Sequence, residues 1–139
     1  MTASREQRFD AVFGRLRSIL EPYAPKMYVT ADSEAFYSLD MAPEKEREPA
    51  TWFGGVRRGK AYVSYYLMSI YADPGLVAEI SPALKKRMQG KSCFNFTQVD
   101  ESLFDELKRL TARGYEATGG DPGWGKRVRE ESSTARTSR

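Results

Sequence analysis

The chain has 139 residues, is 40% hydrophobic and 29% charged, and carries a formal net charge of +3 with no histidine and one cysteine. That length buries a core without staples, and the missing histidines exclude Ser–His and Cys–His nucleophilic sites, histidine general bases and histidine metal sites. The lone Cys93 excludes an intrachain disulfide, and neither a signal peptide nor a run of roughly 18 apolar residues is present, which implies a cytoplasmic protein with no membrane segment.

In chain order, Phe9, Val12, Phe13, Leu16, Ile19, Leu20 and Tyr23 form one apolar stripe of helical period. Ser4 and Gln7 suit a capping box, and Pro22 and Pro25 end the helix. Met27–Ala31 and Ala35–Met41 read as strands joined by the turn Asp32-Ser33-Glu34. A charged, proline-bounded loop spans 42–50. Thr51–Val56 reads as a strand whose Gly54-Gly55 implies a bulge or a close backbone approach. Arg57-Arg58-Gly59-Lys60 reads as a turn, and Ala61–Met68 is the strongest strand. Ser81 caps a short helix over 82–88 that Gly90 stops. In Ser92–Thr97, Cys93, Asn95 and Thr97 alternate with Phe94 and Phe96. Asp100 caps a last helix that buries Leu103, Phe104, Leu107 and Leu110, with Gly114 placed as its C-terminal glycine.

The expected fold is α+β: an antiparallel sheet of about five strands with N- and C-terminal helices packed on one face. Residues 1–117 carry 17 Lys/Arg against 16 Asp/Glu, a net of +1, and 118–139 carry five against three, a net of +2. One domain is therefore expected over 1–117. A basic tail over 118–139 is expected to be disordered, because its composition cannot offset the entropy of ordering. A near-neutral body argues against nucleic acid as the main partner.

Two residue groups stand out as candidate sites. Trp52, Tyr62, Tyr65, Tyr66 and Tyr71 cluster around adjacent strands and make a candidate surface for a small ligand, a protein partner or a homodimer. Alternation sends Tyr62 and Tyr66 to one face and Tyr65 to the other. The basic residues Arg57, Arg58, Lys60, Lys85, Lys86 and Lys91 are a candidate anion site if they share a face, and through them an anion- or nucleic-acid-associated protein is a further alternative function. Asp40, Glu44, Glu46 and Glu48 read as a solvated loop rather than a cation site. Cys93 reads as a small core hydrophobe beside Phe94 and Phe96. Gly120, Gly125 and Lys126 have P-loop spacing, but Arg127 stands where Ser or Thr is needed. No catalytic residue, metal ligand or cofactor motif emerges, so the residues suggest a binding or adaptor domain rather than an enzyme.

From Trp52 to about Tyr115 the chain resembles the YdhG-like family of small bacterial domains. The resemblance lies in the turn ending Gly59-Lys60, the strand Tyr62-Val63-Ser64-Tyr65-Tyr66-Leu67-Met68, and the run from Lys85-Lys86-Arg87-Met88-Gln89-Gly90 through Lys91-Ser92-Cys93-Phe94-Asn95-Phe96, closed by the helix Leu103–Leu110. It implies helices packed on an antiparallel sheet. Through frataxin-like members, it also implies an intracellular iron chaperone as an alternative function. Iron binding of that kind would use acids on the first helix. Here Glu6, Asp10 and Glu21 stand among Arg5, Arg8, Arg15 and Arg17, so no iron-site residue carries over.

Overall fold

The computed structural model describes residues 4–41, 51–72 and 74–118. Helix α1 (Arg5–Leu20) starts at the predicted capping box: the Ser4 hydroxyl accepts from Gln7 N–H, and Gln7 Oε1 accepts from Ser4 N–H. Phe9, Val12, Phe13, Leu16, Ile19 and Leu20 are all buried, as the stripe requires. Pro22 does not stop the chain abruptly, because Glu21–Lys26 continues as a 3-10 helix.

Strand β1 (Tyr28–Asp32) turns into β2 (Phe36–Met41) through Ser33, whose hydroxyl accepts from the backbone N–H groups of Ala35 and Phe36. β3 (Thr51–Arg58) and β4 (Val63–Leu67) follow, then a 3-10 turn (Met68–Ala72) and two short helices, α2 (Pro74–Glu79) and α3 (Pro82–Lys85). Ser81 caps α3 through Leu84 N–H. β5 (Met88–Gln89), β6 (Cys93–Phe96) and α4 (Glu101–Thr118) complete the described chain, and Asp100 caps α4 through Leu103 N–H.

The result is a six-stranded antiparallel sheet in the order β1-β2-β3-β4-β6-β5. The sixth strand was not expected. Residues 88–89 read as the end of a helix, yet α3 stops at Lys85. Arg87 instead gives its carbonyl to Asn95 N–H at 2.8 Å, and Gly90, at φ 74°, turns the chain back into β6. A two-residue strand has no periodicity to read, and only its partner β6 defines it.

α1 lies across β3 and β4, and α4 packs beside α1 on the same face. Val56, Val63, Tyr65, Leu67, Phe94 and Phe96 meet them from the sheet. Phe96 and Phe104 make an edge-to-face contact at 5.0 Å. Fully burying one such large apolar side chain stabilises the fold by about 1.5–3 kcal/mol. Arg15–Glu101 joins α1 to α4, and Arg58–Asp10 joins β3 to α1.

The end of α4 departs from expectation. Gly114 is not a terminal glycine, because the helix runs on to Thr118. A Cβ at Gly114 would overlap Ser69 Oγ and lie 2.9 Å from Ser69 Cβ. This glycine is therefore a contact point where α4 crosses the 3-10 turn. Gly114→Ala should destabilise by about 1–3 kcal/mol through overpacking, although alanine is the better helix former. Urea unfolding measures it, and a neutral or stabilising result would contradict the close approach.

Tyr65 is fully buried, and its hydroxyl lies 2.6 Å from Thr111 Oγ1, which itself donates to the Leu107 carbonyl. Tyr65 is thus the donor, and it ties β4 to α4. Burial pushes its phenol well above the ordinary range, more strongly than the Thr111 hydrogen bond lowers it. A raised native pKa leaves the native state holding a proton that the unfolded chain loses above about pH 10, so stability falls as pH rises past that point. Tyr65→Phe should cost about 1 kcal/mol at neutral pH and make the alkaline decline shallower. Urea unfolding at neutral and alkaline pH tests both.

Candidate functional site

Alternation along the strands sends a second set of side chains to the face away from α1 and α4. These are Ser38 and Asp40 on β2, Trp52 and Arg57 on β3, Ser64 and Tyr66 on β4, and Cys93 and Asn95 on β6. Cross-strand pairing places Gly55 opposite Tyr66, Arg57 opposite Ser64, Tyr66 opposite Cys93 and Ser64 opposite Asn95.

Gly54-Gly55 shapes this face, as both a bulge and a close approach. The register shifts between Leu39 and Asp40, which pair with Gly54 and Trp52, leaving Phe53 as the extra residue. A Cβ at Gly54 would sit 2.7 Å from the Tyr66 carbonyl oxygen and 3.3 Å from Leu20 of α1. On the other side, a Cβ at Gly55 would meet the Trp52 ring at 3.2 Å. The indole therefore lies over bare backbone. Its Nε1–H donates to the Gly54 carbonyl at 3.0 Å, and its ring centre is 5.0 Å from that of Tyr66. This half-buried aromatic pair forms a wall on the second face.

Beside it is a groove of about 360 Å³ lined by Arg57, Lys60, Tyr62, Ser64 and Tyr66, with Gly59 and Ala61 from the turn. Two of its lining residues, Tyr62 and Ser64, join a hydrogen-bonded network that runs beside it onto β5 and β6. Asn95 Oδ1 accepts from the Ser64 hydroxyl at 2.7 Å and from the Cys93 thiol at 3.4 Å. Gln89 Oε1 accepts from Asn95 Nδ2 at 2.8 Å and from the Tyr62 hydroxyl at 3.1 Å. Burial raises the Tyr66 phenol above its usual range and holds it neutral, outweighing the lowering by Ser64 and Arg57.

The groove joins parts of both candidate sets. Tyr62 and Tyr66 meet Arg57 and Lys60 there, and Trp52 packs against Tyr66 beside it. Tyr65 does not belong to it, since its ring is in the core on the opposite face. Arg58 also leaves the set: it is ion-paired with Asp10, and its Nη2 donates to the Glu6 carbonyl at 3.3 Å. One residue along a strand reverses the side, so neighbouring arginines serve different faces. Lys91 lines a separate apolar groove with Ile70, Pro74, Val77 and Met88. Lys85 and Lys86 are exposed on and just after α3, so the six basic residues do not converge. The Tyr71 side chain, Glu44, Glu46, Glu48 and the tail lie outside the described residues. Asp40 is opposite Trp52, and burial raises its carboxyl above the usual range against the lowering by Thr30. No group of three His, Cys, Asp or Glu among the described residues is placed to hold a metal.

Cys93 needs a correction too. Its thiol is on the second face, not in the core beside Phe94 and Phe96. Ser64 lines the groove, and Gln89 and Asn95 bond its lining residues Tyr62 and Ser64, although the sequence reading names none of the three as a site residue. The alternation of Cys93 and Asn95 against two phenylalanines was the signal that pointed to them.

Comparisons with family models, curated proteins and solved structures gave no match.

Burial pushes the Cys93 thiol upward, more than its hydrogen bonds with Ser64 and Tyr66 lower it. A disulfide-exchange reagent should therefore label it slowly at neutral pH, with a rate that still climbs above the ordinary thiol value of about 8.5. Labelling the full chain across pH 7–10 tests this, and a plateau below that value would mark an activated thiolate instead.

Proposed function

We propose that this chain is a small, non-catalytic binding domain that receives a small ligand in the groove on its second sheet face. One observation carries the reading: a half-buried Trp52–Tyr66 pair beside a groove of about 360 Å³, a volume within the range of small-molecule sites. The described helices occupy the other side of the sheet, so this face has no helix to bury its aromatics. The Tyr66 phenol at the groove, raised by burial, supplies a hydrogen-bond donor, while the Cys93 thiol, also raised by burial, already donates to Asn95 Oδ1. Kinship with the YdhG-like domains is part of the same proposal, supported by a sheet flanked by terminal helices on one face. So is a cytoplasmic location, supported by the unpaired thiol of Cys93. No described helix is long and apolar enough to cross a membrane.

A thermal-shift screen of the full chain against metabolites, nucleotides and metals tests the reading. A ligand at a hundred times its dissociation constant stabilises by about 2.7 kcal/mol, a shift of roughly 10 °C for a domain of this size. The expected hit raises Tm in wild type and not in Tyr62→Ala. A shift seen only with ferrous or ferric iron would favour the frataxin-like alternative. A loss of binding that tracks salt steeply and appears only with polynucleotides would favour the nucleic-acid one.

A further inference from the structure

The hydrogen-bonding inventory of the second-face groove narrows what it can hold. The two side-chain amide acceptors beside it, which bond its lining residues Ser64 and Tyr62, are already engaged. Asn95 Oδ1 takes protons from Ser64 and Cys93, and Gln89 Oε1 takes them from Asn95 and Tyr62. The donors at the rim are not spent in this way. Arg57 is exposed, and neither it nor Lys60 forms an ion pair with a carboxylate among the described residues, although Arg15, Arg17, Arg58 and Arg113 each do. Among the described residues, no carboxylate lines the groove. Guanidinium and ammonium groups donate and never accept, so the capacity left for a ligand is positive and mostly donor. The walls are the rings of Tyr62 and Tyr66, with Trp52 extending the aromatic surface past Tyr66.

Resting on the binding reading above, we propose that the groove's ligand is an aromatic anion: a phosphate or carboxylate held by Arg57 and Lys60, with its ring against Tyr62 and Tyr66. Arg57 suits the negative end because its planar fork matches either oxyanion in two-pronged fashion. The ring contributes contact area that inorganic phosphate lacks.

The probes are phenyl phosphate, benzoate, inorganic phosphate and phenol, titrated into the full chain at low salt. Trp124→Phe leaves Trp52 as the only tryptophan of the two in the sequence, so its fluorescence reports on this wall. Tm is followed in parallel. Phenyl phosphate or benzoate is expected to change Trp52 emission and to bind roughly tenfold or more tighter than phenol, the scale of one charge-assisted contact. Arg57→Gln and Lys60→Gln should each lose roughly that factor, and Lys85→Gln, away from the groove, should lose nothing. Whichever of the two anions binds more tightly identifies the oxyanion. Equal binding of phenol, unaffected by Arg57→Gln, would overturn the anionic assignment while leaving the groove as a binding site. Inorganic phosphate binding as tightly as phenyl phosphate would overturn the aromatic half. No response to any of the four at millimolar concentration would overturn the aromatic-anion assignment, and the groove reading would then rest on the metabolite screen alone.

Discussion

The Gly54-Gly55 step in β3 is the constraint on which both faces of this domain depend. Gly54 leaves room for Leu20, so α1 can seat its apolar stripe against the centre of the sheet. Gly55 leaves room for the Trp52 indole on the opposite side. A side chain at Gly54 would collide with the Tyr66 carbonyl and crowd Leu20, and one at Gly55 would crowd the Tyr37 carbonyl and the Trp52 ring. The bulge that accompanies them lets Trp52 point away from the core while Phe53 enters it, where it packs against Tyr23 and Tyr115. Two residues without side chains thus organise the core and the candidate site together.

The two faces use polar groups in opposite ways. On the helix side, charges cancel in pairs between elements: Arg15 with Glu101, Arg17 with Glu21 and Asp32, Arg58 with Asp10, and Arg113 with Glu79. Exposed pairs of this kind contribute little energy, and their effect is to set orientation. On the second face, neutral side chains satisfy one another in a closed network, while Arg57 and Lys60 remain at its edge. A network in which each member finds a partner holds its side chains in place, so the second face is ordered beside two cations that have no carboxylate partner among the described residues.

Much of the fold was legible locally. The capping box at Ser4 and Gln7, the serine turn at Ser33, the caps at Ser81 and Asp100 and the α1 stripe are all interactions within a few residues, and each formed where the residues suggested. Two of the misreadings share one physical origin, a contact between residues apart in the chain. β5 exists because Arg87 and Gln89 meet a strand several residues away. Gly114 matters because it meets Ser69, 45 positions earlier in the chain. Cys93 was assigned to the core from the character of its neighbours, although strand alternation already placed it opposite them.

What the sequence by itself determined is the class and its limits: an α+β domain with terminal helices, a chemistry without histidine, and the alternation that separates Tyr62 and Tyr66 from Tyr65. Those follow from periodicity and composition, which are local. Only the tertiary structure decided that Tyr62 and Tyr66 share a groove with Arg57 and Lys60, with Trp52 against Tyr66, while Tyr65 and Arg58 turn away to the helices. That outcome depends on strand order and on a bulge in the register between β2 and β3. Such pairings bring together residues far apart in the chain, and no local pattern encodes them.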